Sequence, residues 1–151
     1  MKNPEGALAY NSPTDGTKIF NEGVMADVTY AMTQVVQRGS GTTALELDRP
    51  VAAKTGSSSD NKSAQFVGYT PQVVTAVTLY QSGADGSEEL ITPWGEYDEI
   101  TGSTYPADIF TQYMKTALAD FPEEDFPDRT AGFTRLKLVR SCCFLSEKHA
   151  T

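Results

Sequence analysis

Three strand candidates between residues 51 and 80, the last of them β-branched and apolar, constrain this chain more than any other feature. Val51 to Ser57, Gln65 to Thr70 and Val73 to Tyr80 each read as a strand, the third most clearly. The polar stretch Ser57 to Ser63 separates the first two, and Pro71-Gln72 separates the second from the third. Connections this short join antiparallel neighbours, so the segments predict consecutive hairpins in one sheet.

A sheet with an apolar face has to be covered, and the sequence offers two amphipathic helices for the purpose. In residues 21 to 38, Val24, Val28, Met32 and Val35/Val36 recur at steps of three and four, which stacks them on one helical face. Asn21 suits the N-cap and Gly39 the stop. A flexible connection, Gly39-Ser40-Gly41-Thr42-Thr43, leads to a short helical turn at Ala44 to Leu47. Residues 105 to 119 form the second helix, with Ile109, Phe110, Tyr113, Met114, Ala117 and Leu118 as a wide apolar stripe. Thr104 is the expected cap, Pro106 fits the first turn, and Asp108 complements the dipole. Residues 81 to 104, punctuated by Gly83, Gly86, Gly95 and Gly102, read as loop. The expected class is therefore α+β: an antiparallel sheet of at least three strands flanked by two amphipathic helices.

Composition removes several function classes. A net charge of -8 argues against general nucleic-acid binding, which needs a basic face. The two cysteines, Cys142 and Cys143, are neighbours, so no disulfide framework is expected. His149 is the only histidine, and no spacing of His, Cys and carboxylates suggests a metal site, so neither metal nor cofactor is expected. There is no apolar run of transmembrane length and no signal peptide after Met1, so the 151 residues show no export address or anchor of their own.

The chemistry concentrates in Val51-Ala52-Ala53-Lys54-Thr55-Gly56-Ser57-Ser58. A Lys-Thr-Gly triplet on a strand, followed by Ser or Thr, is one signature of penicillin-binding proteins and serine β-lactamases. Its surroundings sharpen it. Phe66-Val67-Gly68-Tyr69-Thr70-Pro71 follows, then the apolar strand, then Gly102-Ser103-Thr104-Tyr105-Pro106-Ala107-Asp108-Ile109-Phe110 leading to Met114 and Ala117-Leu118. Upstream stand Gln34-Val35-Val36 and Gly39-Ser40-Gly41. From about residue 5 to 120 this succession resembles the C-terminal part of the transpeptidase domain of class A penicillin-binding proteins. The resemblance implies an incomplete β-lactamase/transpeptidase-like fold over residues 1–120, with 121–151 as an irregular tail of unknown origin.

The resemblance also implies roles. The family's substrate ends in a D-alanyl carboxylate, which a lysine and neighbouring hydroxyls bind by charge-assisted hydrogen bonds. Lys54, Thr55 and the Ser57 hydroxyl fit those positions, and Gly56 lets a peptide backbone approach. The Ser57 backbone N–H corresponds to an oxyanion donor, a group typically worth about 10²–10³ in rate. The implied partners are a peptidoglycan stem peptide and the β-lactams that mimic it, on a parent protein anchored in a bacterial membrane and facing outward.

Acyl transfer in this family needs a serine with a lysine one helical turn later, and a separate Ser-x-Asn loop. Both are expected well before the Lys-Thr-Gly strand, further upstream than 54 residues allow, so the catalytic nucleophile is expected to be absent. Ser59-Asp60-Asn61-Lys62 contains both strings, overlapping on one serine at the hairpin tip. They are expected to be turn residues. Ala53 stands where the family usually has Gly. Ser63-Ala64-Gln65-Phe66 replaces a common Asp-Ala-Trp-Phe, Thr78-Leu79-Tyr80 a usual Trp-Val-Gly, and Ser103 the second of two glycines. Three readings follow: a fragment of a peptidoglycan D,D-transpeptidase, inactive alone; a non-catalytic remnant or binding module; and, less favoured by the Gly-Tyr-Thr-Pro and Tyr-Pro-Ala-Asp-Ile blocks, a serine β-lactamase fragment. Phe121 to Asp128 is acidic, rich in proline and expected to be extended. The change of composition at Arg129 suggests a frameshifted or mis-assembled gene end, which reading the DNA in the other frames would test.

Overall fold

The computed structural model of the chain describes residues 6, 7 and 16–129. Arg135 to Leu145, both cysteines, His149 and residues 8–10 fall outside the described residues, so an edge strand read over Gly6 to Tyr10 and a short strand or helix read over Arg135 to Leu145 from the sequence lie outside them too.

Helix α1 spans Glu22–Arg38. Asn21 caps it as expected, its side chain accepting from the Gly23 N–H at 2.8 Å. At the other end the Gly39 and Gly41 N–H groups both donate to the Val35 carbonyl, at 3.1 and 3.0 Å. A 3₁₀ turn at Thr42–Leu47 follows. Strands β1 (Ala52–Ser57), β2 (Ser63–Tyr69), β3 (Val74–Ser82) and β4 (Glu88–Glu89) then form one antiparallel sheet in sequence order. Helix α2, Tyr105–Ala117, closes the order, with Pro106 in its first turn.

Register decides which residues share a face, because antiparallel partners point the same way and successive residues point opposite ways. Ala53 pairs with Gly68, Thr55 with Phe66 and Ser57 with Ala64. That face meets α2: the Phe66 and Phe110 rings lie 4.8 Å apart, and the Thr75 hydroxyl donates to Met114 Sδ at 3.2 Å. Phe66, Phe110, Met114, Leu118, Val36 and Val51 are the large members of the main core. Burying each such side chain stabilises the fold by ~1.5–3 kcal/mol. A smaller cluster joins Ala64 to Ile91 and Ile100. On the opposite face, Tyr69 donates or accepts a 2.9 Å hydrogen bond with Thr29 of α1. Helix α1 thus meets the opposite face at Tyr69, while its Val36, near the C-terminal end, joins the core on the α2 side.

Four expectations are corrected. Only the later part of the α1 stripe meets the body of the protein: Val24 and Val28 are 48% and 44% exposed, whereas Met32 approaches the Tyr69 hydroxyl and Val36 is buried, together with Ala26 and Thr29 outside the stripe. Small residues at 26 and 29 let the helix approach closely, and the Thr29–Tyr69 hydrogen bond fixes that rotation. In α2, Phe110, Met114 and Leu118 are buried but Ile109 and Tyr113 are exposed, so the apolar stripe is wider than the sheet covers. Thr104 precedes α2 as expected, yet its hydroxyl does not cap the helix. It bonds back to the N–H and carbonyl of Thr101, and the Thr104 backbone carbonyl accepts from Ala107 and Asp108 instead. The stretch expected to be loop throughout also contains β4, whose two glutamates pair with Gln81 and Ser82.

The segment 121–129 has no regular structure but packs on the body of the protein. The Phe126 ring meets Tyr69 edge-on at 5.5 Å, and the Pro122 carbonyl accepts from Gln72 at 3.0 Å. Arg129 lies over the Tyr30 ring and pairs with Asp27.

Candidate functional site

The four residues Lys54 to Ser57 fall on β1, the outermost strand, whose only sheet partner among the described residues is β2. Alternation sends their side chains to two different faces. Lys54 and Gly56 share the α1 side with Val67 and Gln65, and Thr55 and Ser57 share the α2 side with Phe66 and Ala64. Lys54 is exposed, and its Nζ donates to the Thr55 carbonyl at 2.7 Å. Lys54 to Ser57 do not line the hollows of about 420, 590 and 650 Å³, whose walls include Thr33, Tyr30, Met25 and Phe126.

Each hydroxyl on the other face has a partner from outside the sheet. Thr55 Oγ1 lies 2.6 Å from Ser40 Oγ, in the loop that leaves α1. Ser57 Oγ accepts from the Gly102 N–H at 3.2 Å. Gly102 can lie so close only because it lacks a side chain. A β-carbon there would stand 2.7 and 2.8 Å from the Gly56 carbonyl and amide, and closer still to the Gln65 carbonyl. The Gly102 loop is itself held by aromatic packing. Trp94 stacks on Tyr105 at 4.9 Å, Tyr97 meets the same ring edge-on, and the Tyr105 hydroxyl donates to the Trp94 carbonyl at 3.1 Å. Tyr97 donates to Asp108 at 2.9 Å, and this hydrogen bond, with desolvation and the nearby carboxylate charge, pushes the Tyr97 phenol up to about 12.

The hairpin tip carries the overlapping serine, asparagine and lysine strings. Ser59–Asn61 is a 3₁₀ turn in which Asp60 and Asn61 have φ of 58° and 50°, a conformation these two residue types tolerate well. Ser58 closes the turn, its hydroxyl accepting from the Ser63 N–H at 2.8 Å. Ser59 and Lys62 therefore do not stand one turn apart on a helix, as the turn reading expected.

Ser40 and Gly102 were not singled out as site residues from the sequence. Their only signal was the density of small residues around each, Gly39-Ser40-Gly41 and Gly102-Ser103.

Comparison with known proteins decides the family. Penicillin-binding protein 1A of Mycolicibacterium smegmatis is 33% identical over 135 residues, which covers 85% of this chain and 17% of that protein. The chain is homologous to the C-terminal part of the penicillin-binding protein 1A transpeptidase domain. The Rickettsia conorii penicillin-binding protein 1A is 32% identical over 109 residues, or 72% of this chain and 13% of that one. The Aquifex aeolicus protein is 38% identical over 92 residues, or 61% and 11%. The crystal structure of penicillin-binding protein 1A from Haemophilus influenzae matches with a TM-score of 0.51 at 24% identity, over 68% of this chain and 15% of that one, and shows a shared fold. No family model matches. The chain thus spans less than a fifth of the length of the penicillin-binding protein 1A relatives, as the 17%, 13% and 11% shares state.

Proposed function

We propose that this chain forms the carboxylate-binding wall of a peptidoglycan D,D-transpeptidase site. The observation that carries the reading is the Lys-Thr-Gly-Ser run on a strand whose outer edge pairs with no other strand among the described residues. An outermost strand can offer its backbone groups to an extended peptide. Lys54 supplies positive charge, Thr55 and Ser57 supply hydroxyls, and Gly56 leaves room for the peptide to lie along the strand. The Ser57 N–H serves as an oxyanion donor.

The reaction is acyl transfer from a stem peptide ending in D-alanyl-D-alanine to an amine on a neighbouring strand. A serine attacks the penultimate carbonyl, the terminal D-alanine leaves, and the amine then takes the acyl group. The attacking serine needs a lysine one helical turn away. The described helices carry no such pair, and Ser59 and Lys62 sit in the hairpin turn. In this reading the nucleophile belongs to another part of the transpeptidase, and the working enzyme is membrane-anchored and faces outward. β-Lactams enter the same site as mimics of the peptide end.

The test separates binding from turnover. A stem-peptide analogue titrated against the isotopically labelled chain should perturb the Lys54–Ser57 amides, and Lys54→Ala should weaken binding about tenfold, the effect expected of a lost charge-assisted hydrogen bond. Fluorescent penicillin should leave the chain unlabelled. A defined serine carrying the label would overturn the assignment of the nucleophile elsewhere. Peptide binding indifferent to Lys54 would overturn the carboxylate wall.

The second reading is a binding module that keeps the fold without turnover. The turn conformation of Ser59–Asn61 favours it as much as it favours the first. A transpeptidase segment supplying a Ser-x-x-Lys helix separates the two: restored penicillin labelling supports the first reading, and a complex that stays unlabelled supports the second.

A further inference from the structure

The Ser40–Thr55 contact joins a loop and a strand that local folding alone would not bring together. Ser40 follows α1, and Thr55 is the central residue of the Lys-Thr-Gly strand, yet their hydroxyl oxygens are 2.6 Å apart. The position of Ser40 is dictated from both sides. Gly39 and Gly41 donate to the same Val35 carbonyl. A β-carbon at 39 would stand 2.8 Å from that carbonyl oxygen, and one at 41 would stand 3.3 Å from it and 3.5 Å from the Phe66 ring. The two glycines therefore clamp the loop to the helix end and to the core, and the serine between them has little freedom to leave Thr55.

Thr55 is β-branched, so its hydroxyl and methyl exchange places in discrete rotamer steps. A hydrogen bond from a fixed neighbour selects the step. If the Ser40 hydroxyl donates to Thr55 Oγ1, the Thr55 proton is left free to be donated outward, and donation into a hydroxyl strengthens the hydrogen bond that hydroxyl makes next. The opposite direction would consume the Thr55 proton. An anion bound at Thr55 accepts only, so it selects the first direction.

We infer that Ser40 is a positioning residue: it donates to Thr55 Oγ1, fixes the Thr55 rotamer and turns its O–H toward the terminal carboxylate of a bound peptide. This rests on the carboxylate-binding reading of β1. Ser40 does not touch the peptide itself.

The experiment uses the whole chain, isotopically labelled, with a peptide ending in D-alanyl-D-alanine, and compares Ser40→Ala, Ser40→Thr, Thr55→Val and the Ser40→Ala/Thr55→Val double variant. Two quantities are read: the peptide dissociation constant and the three-bond couplings that report the rotamer at position 55. Ser40→Ala should weaken binding about fivefold, in the range of one neutral hydrogen bond, and average the Thr55 couplings. Ser40→Thr should restore both. In the Thr55→Val background, Ser40→Ala should add nothing to the dissociation constant. Wild-type couplings in Ser40→Ala, or an undiminished effect of Ser40→Ala on Thr55→Val, would overturn the inference. A wild-type chain that binds no peptide would overturn the reading of β1 and the carboxylate role of Ser40 with it. The couplings measured without peptide would then show separately whether Ser40 holds Thr55.

Discussion

A single hydrogen atom at position 102 decides whether the loop can lie on the backbone of β1. Alanine there would press on the Gly56 amide and carbonyl and on the Gln65 carbonyl, none of which can rotate away. Gly102→Ala should cost ~1–3 kcal/mol, the usual range for overpacking, and should shift the Gly56 and Ser57 amide resonances. Wild-type stability with unmoved resonances would mean that the loop sits elsewhere. Tyr97 gives a second residue-scale prediction. Its pKa is raised to about 12 by the hydrogen bond to Asp108, so the stability from that bond is complete below the ordinary tyrosine value near 10 and is lost as pH rises through about 12. Absorbance titration should show one late-ionising tyrosine that Tyr97→Phe removes. Neither contact was legible in the sequence. A glycine signals permission for close approach without naming what approaches, and Tyr97 and Asp108 gain meaning only once the 91–104 loop folds back on α2. Asn21 was legible as a cap because capping is local, whereas the Thr104 hydroxyl found its partner in the Thr101 turn.

At the scale of elements, pattern predicted existence better than orientation. The strands appeared where alternation and short connections placed them, starting or ending within a residue or two. The rotation of α1 buries Val36 but leaves Val24 and Val28 exposed, because a periodic stripe says that a helix has an apolar face and not how much of it a surface claims. A small-residue face with Thr29 bonded to Tyr69 won the sheet. β4 was missed because two glutamates carry no strand signal; their pairing comes from the turn at Gly83 to Ser87, where the Gly83 N–H donates to the Ser87 carbonyl. Phe110 is the test of the α2 contact. It is buried, packs on Phe66 at 4.8 Å and fills the space over Gly68. Phe110→Ala should therefore lose ~3–5 kcal/mol of stability by urea unfolding. A loss under about 1 kcal/mol would mean that α2 is not part of the core.

Taken whole, the molecule is covered unevenly. The α2 side of the sheet buries Ala53, Ala64, Phe66 and Gly68, but on the side of Lys54 and Tyr69 Val74 and Tyr80 are 71% and 72% exposed, and Val24, Met25 and Val28 of α1 are exposed as well. An apolar surface of this kind stays stable in water only at a cost in association or marginal folding. The chain alone should bind the dye ANS and should self-associate at high concentration in sedimentation measurements. A dye-silent monomer at all concentrations would show that this surface is not the sticky one it is taken to be. The sequence carried the family through the Lys-Thr-Gly context, and the relatives agree with it. It could not carry the uneven covering, which depends on how helices seat on the sheet.

The opposed directions of Lys54 and Thr55 leave two neighbouring codons under unlike pressures. The lysine is exposed and bonds to the backbone carbonyl of Thr55, so its charge could be exchanged or lost while the scaffold kept its shape. The hydroxyls at 55 and 57 are moored to loops that reach the hydrophobic interior, so substituting either one would be felt beyond the site itself. In a lineage drifting away from its original chemistry, the positive charge would be the first part of the triplet to disappear, and the hydroxyl side would outlast it.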